Sequence, residues 1–97
     1  ELVLDFENCK EEQLTTDKIN DFLRESGATS YDHDVNKIRY IGLNPTSTIL
    51  IHAWANDKRL FINWISWDKE FTHSDAAKKV ATFFGGLIKE AAGSTRG

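Results

Sequence analysis

The chain has 97 residues, 40% hydrophobic and 28% charged, with 12 Lys and Arg against 15 Asp and Glu for a net charge of −3. Those values describe one ordinary globular domain with a modest core and exclude a disordered chain or a broad phosphate-binding surface. No apolar run approaches the roughly 18 residues of a membrane span, and the single cysteine, Cys9, excludes an internal disulfide or a multi-cysteine metal site.

The first segment, ELVLDFENC, alternates as a strand, with Leu2, Leu4 and Phe6 on one face and Val3 and Asp5 on the other. After the charged connector KEEQ, TTDKINDFLRESG has helix punctuation at both ends. Thr15 or Thr16 is the N-cap, Asp17 sits in the first turn and Gly27 is the stop. Ile19, Phe22 and Leu23 make its buried stripe. ATSYDHDVN is ambiguous, compatible with a short strand and a turn at Asp32 to Asp34. KIRYIGLN alternates as a strand that Asn44-Pro45 ends. A hairpin follows, with Asn56-Asp57 as its two-residue turn. The last helix is predicted from Thr72 or Ser74 to about Ala91, with a stripe of Ala77, Val80, Phe84, Leu87, Ile88 and Ala91. Gly85-Gly86 then lies inside it, at about 1 kcal/mol per glycine, and reads as close approach to a sheet.

The order β-α-β-β-β-β-α predicts an α+β two-layer sandwich: a mostly antiparallel sheet of four or five strands with two helices on one face. Residues 1–92 form the single domain and 93–97 a flexible tail. A cytoplasmic location is the default expectation.

The hairpin carries the functional signal. A two-residue turn pairs Trp54 with Arg59, His52 with Phe61, Leu50 with Asn63 and Ile49 with Trp64. One face, Ile49, Ile51, Ala53, Leu60, Ile62 and Trp64, is uniformly apolar and belongs under the helices. The other carries Leu50, His52, Trp54, Arg59, Phe61, Asn63, Ile65 and Trp67, a mixture suited to a partner or ligand. On that face Trp54 over Arg59 reads as a cross-strand cation–π pair that needs no function.

These segments, in order, resemble the short prokaryotic S-adenosylmethionine decarboxylases over nearly the whole chain. ELVLDFENC resembles that family's opening strand, and ESGAT resembles the exit from its first helix. STILIHAW resembles its signature strand, which reads Ser, His, two residues, Ile, His, one residue, Trp. WISWDKEFTHSDAAKKVATFF resembles the strand, loop and closing helix that follow. The family is made as a proenzyme that cuts itself at a Glu-Ser bond, leaving a pyruvoyl group that forms a Schiff base with the substrate amine. By resemblance, Ser47 is the pyruvoyl precursor, His52 assists processing and Trp54 helps hold an adenosyl group. Asn56, Phe61, Asn63 and Trp67 complete the candidate ligand-binding set.

The departures bear on chemistry. Thr46 stands where the family has Glu before the cut, and Thr48 where a His follows the serine. Trp67 aligns with the catalytic cysteine and Asn56 with an acidic residue that binds ribose hydroxyls. The second processing serine aligns near Arg39, and the family's final strand is absent. Cys9 matches a structural cysteine.

The expectation is a diverged domain of this kind that does not self-process and acts by binding an adenosyl ligand or a protein partner in a regulatory role. No cofactor is expected, and a pyruvoyl group arises from Ser47 only if the chain cleaves itself. One alternative is an active decarboxylase in polyamine synthesis. Another is a small acidic protein-binding protein of the immunity type, using Trp54, Phe61 and Trp67 as an interface. A homodimer through the outer sheet face is expected, with no nucleic acid or membrane partner. His33 between Asp32 and Asp34, and His73 beside Ser74 and Asp75, read as solvated surface rather than metal ligands.

Overall fold

In the computed structural model, which describes residues 1–93, the elements follow in the order β1 (Leu2–Glu7), α1 (Thr16–Glu25), β2 (Ser30–His33), β3 (Arg39–Asn44), β4 (Ser47–Trp54), β5 (Arg59–Ser66), α2 (His73–Phe84) and β6 (Leu87–Gly93). The strands form one sheet ordered β2-β3-β4-β5-β1-β6, and every pairing is antiparallel. No helix of the described residues is long and apolar enough to cross a membrane.

One core joins the sheet to both helices. Leu2, Leu4 and Phe6 of β1, Ile49 and Ile51 of β4, and Leu60 and Ile62 of β5 are buried against Ile19, Phe22 and Leu23 of α1 and Val80 and Phe84 of α2. Phe22 anchors the junction, its ring centroid 6.0 Å from Trp64 and 5.1 Å from Phe84. Tyr40 enters the same core with its hydroxyl satisfied, donating to Lys37 O at 2.8 Å. The helices therefore cover one face, and the shortest extent of the molecule is 18 Å, two layers thick.

Local chemistry sets the first helix. Thr15 Oγ1 accepts from Lys18 N at 3.3 Å, filling one of the orphan N-terminal positions, and Asp17 lies in the first turn where the dipole favours a carboxylate. The ambiguous segment resolves into strand β2, and Asp34 shapes the turn after it by accepting from Ile38 N and Arg39 N at 2.8 and 2.9 Å.

The hairpin has the predicted register throughout, from Trp54↔Arg59 to Ile49↔Trp64. Its turn differs. Ala55–Asp57 make a short 3-10 turn and Lys58 takes a left-handed conformation at φ 54°, so the loop has four residues rather than two. Adding one residue on each side leaves the pairing parity unchanged, which is why the faces came out as expected.

The C-terminal third requires a correction. The helix ends at Phe84 rather than near Ala91, and Leu87, Ile88 and Ala91 lie in an exposed strand instead of a core stripe. Gly85, at φ 67°, is a left-handed cap donating its N–H to Ala81 O at 2.9 Å. Gly86 then passes so close to the exit of β1 that a Cβ there would lie 2.7 Å from Cys9 Sγ. The close approach is real, but it is of the turn to β1. The chain reverses into β6, which pairs along the free edge of β1 and supplies that edge with hydrogen-bond partners. The sheet thus has six strands rather than four or five, because a strand follows the last helix where none was expected. Gly93 belongs to β6; the rest of the expected flexible tail, 94–97, lies outside the described residues.

Candidate functional site: the helix-free face of the sheet

Strand register assembles the outer face into rows. One row runs Glu90, Asp5, Phe61, His52 and Arg39 across β6, β1, β5, β4 and β3. The next runs Ala92, Val3, Asn63, Leu50, Ile41 and Asp32 across all six strands. Since neighbouring strands lie about 4.8 Å apart, each row is a line of side chains in near contact.

His52 is the aromatic centre of this face. Its ring lies 5.9 Å from Phe61 and meets Trp54 edge-on at 5.7 Å. Trp54 stands opposite Arg59 in the ladder, yet the guanidinium turns to Asp5, with Nη2 3.3 Å from Oδ2, while the indole packs on His52. The expected pairing of Trp54 with Arg59 gives way because the Asp5 carboxylate is the better partner for a half-exposed guanidinium. Two polar atoms here are buried without a hydrogen bond among the described residues: Asn63 Oδ1 and Arg59 Nε.

The candidate residues divide. His52, Trp54, Phe61 and Asn63 converge on the outer face. Ser47 lies on β4 but on the helix side, 7% exposed, opposite Ser66. His52 lies five steps further along the strand, about 17 Å of rise, and the two side chains point to opposite faces. Asn56 is exposed in the hairpin loop. Trp67 is 64% exposed just beyond β5, at the end away from Trp54, and its N–H donates to Thr46 O at 2.8 Å.

Cys9 is buried, and burial pushes its thiol up to about 11, so it is a protonated core group and not a nucleophile at neutral pH. Asp34 is held below the ordinary carboxylate range by the N–H groups of Arg39 and Ile38. That carboxylate is therefore committed to its turn. Among the described residues no three His, Cys, Asp or Glu side chains gather as a metal site.

Sequence reasoning missed Arg39 and Glu90 as members of this face. Alternation in KIRYIGLN was enough to put Arg39 there. Glu90 was hidden by the overlong helix. The sequence matches no protein-family profile, and it is not significantly similar to any curated protein.

Proposed function

We propose that this chain is a diverged S-adenosylmethionine-decarboxylase-like domain that does not process itself and acts by binding through the helix-free face of its sheet. The observation that carries the reading is the set of residues at the chemical positions: Thr46, Thr48 and Trp67 stand where cleavage and decarboxylation need Glu, His and Cys. A threonine supplies neither a carboxylate nor an imidazole, and a tryptophan does not replace a thiol as proton donor. What remains is a surface of the kind that binds: aromatic groups at His52, Trp54 and Phe61, bordered by Arg59 and Arg39.

A denaturing mass spectrum tests the first half. One intact chain agrees with the reading; two fragments divided before Ser47 overturn it in favour of an active pyruvoyl enzyme. Trp54 and Phe61 flanking His52 also favour a second reading, an adenosyl ligand stacked on this face. Calorimetric titration with S-adenosylmethionine tests it, with micromolar binding abolished by Trp54→Ala as the expected result. No heat at millimolar ligand leaves the face to protein association alone.

A further inference from the structure

Ile41 and Leu50 face each other across the β3–β4 ladder on the helix-free side, and Asp32 of β2 extends their row. Arg39 stands two residues along β3 from Ile41, on the same side, so a carboxylate and a guanidinium flank one apolar floor. With Asp34 of the β2–β3 turn they line a cavity of about 220 Å³. We propose that this cavity binds a free α-amino acid with an aliphatic side chain. Its carboxylate meets Arg39, its ammonium meets Asp32 and its side chain lies over Ile41 and Leu50. The site goes beyond the aromatic surface described above, because it uses none of His52, Trp54 or Phe61.

The two opposite charges carry the argument. Asp32 and Arg39 are diagonal neighbours on paired strands, about 7–8 Å apart, a separation that long side chains bridge. No ion pair joins them among the described residues, whereas Arg59 reaches Asp5 and Arg24 reaches Asp21. The Arg39 guanidinium makes no hydrogen bond among those residues, although its charge helps hold Asp34 ionised. Asp32 Oδ1 accepts from His33 N at 2.8 Å, and its Oδ2 has no donor among the described residues. His33 also borders the cavity, with its ring beside Tyr40, centroids 5.7 Å apart.

Charge balance selects the ligand. Asp34 is fixed as a carboxylate by Ile38 N and Arg39 N, so two carboxylates and one guanidinium leave one net negative charge. A fatty acid is repelled by that charge, and a simple amine leaves the guanidinium unpaired; a zwitterion satisfies both. The volume sets the size. It is the share of about seven waters, below the roughly 300–1,000 Å³ of ordinary ligand pockets, which suits an amino acid and excludes a nucleoside. Ile41 and Leu50 offer that side chain no polar partner, so an aliphatic one is preferred to a polar one.

Titration of the full chain with L-leucine, followed by two-dimensional amide NMR, is the test. Saturable shifts are expected at Asp32, Arg39, Ile41 and Leu50, with a Kd of about 1 mM. Arg39→Gln and Asp32→Asn, both at exposed positions, each weaken binding at least tenfold, while distant amides keep their positions and report an intact fold. Isocaproate, which lacks the ammonium, and isoamylamine, which lacks the carboxylate, bind at least tenfold more weakly than leucine. Absence of saturable shifts at about 20 mM leucine overturns the proposal. So does an equal response to isoamylamine, the behaviour of solvated carboxylates, or unchanged affinity in Arg39→Gln. A chain that ignores leucine but binds S-adenosylmethionine or a protein through Trp54 overturns this site and keeps the reading of the aromatic surface. Leucine bound through Arg39 and Asp32, with nothing bound through Trp54, supports the site and removes that reading.

Discussion

Asp5 and Arg59 come from strands 54 residues apart in sequence and meet at 3.3 Å on the helix-free face, the guanidinium reaching across the β1–β5 ladder. The pair is partly open to solvent, with side-chain exposures of 43% for Arg59 and 19% for Asp5, so screening limits what it contributes. Asp5→Asn is expected to lower stability by no more than about 1 kcal/mol, in urea unfolding monitored by tryptophan fluorescence, with the difference shrinking in high salt.

Phe22 is the opposite case. Its ring contacts Trp64, Phe83 and Phe84 and is fully buried where the two helices meet the sheet. Phe22→Ala leaves a cavity that three aromatic neighbours cannot all collapse into. The expected cost is about 3–5 kcal/mol by chemical denaturation. A loss below 1 kcal/mol contradicts this packing.

The reversal at Gly85-Gly86 predicts a steep response to a single methyl group. In Gly86→Ala the added carbon meets Cys9 Sγ at 2.7 Å and Glu7 O at 3.0 Å, and the backbone oxygen has little freedom to move. Either the start of β6 shifts or β1 does, at about 1–3 kcal/mol. Amide exchange should show lost protection in the β1–β6 pairing first, with α1 unaffected.

Cys9 makes the alkaline limit of stability measurable. Its folded thiol ionises at about 11 against an ordinary value of 9.0, so between those values the unfolded chain has released a proton that the folded chain retains. Stability therefore falls as pH rises through that interval. Urea midpoints across the interval should decline, and Cys9→Ala should flatten the decline. A midpoint slope identical in the two proteins counts against a buried neutral thiol.

Asp34 works with the opposite sign. Its carboxylate accepts from Arg39 N and Ile38 N, which holds its ionisation below the ordinary range, so the folded state favours the charged form. That contribution is complete above the ordinary carboxylate range and disappears as acid protonates the group. The turn between β2 and β3 should loosen in acid before the rest of the sheet does, read as faster exchange of the Ile38 and Arg39 amides. Asp34→Ala should show that exchange already at neutral pH.

The hairpin shows how much was legible in local sequence. Period-two alternation in STILIHAW and RLFINWIS, with a turn of even length between them, determined every pair and both faces. This held although the turn is a four-residue 3-10 loop. The helix TDKINDFLRE was equally local: a threonine cap, an early aspartate and three apolar residues on one stripe. The chain order likewise put the aromatic members of the candidate site, His52, Trp54 and Phe61, on one surface.

The C-terminus misled because its periodicity is ambiguous. Leu87, Ile88 and Ala91 continue the helical spacing of Val80 and Phe84, and nothing in that window records the open edge of β1 more than eighty residues earlier. That edge has backbone groups to satisfy, and Gly85 adopts the left-handed turn at little cost, so a distant strand decides the end of the helix. Everything that depends on β6 follows from this. Sequence by itself determined which residues share a strand face, because alternation is a property of consecutive residues. Only the tertiary structure decided that Glu90 and Arg39 close the two ends of one row, because strand order depends on which edges meet.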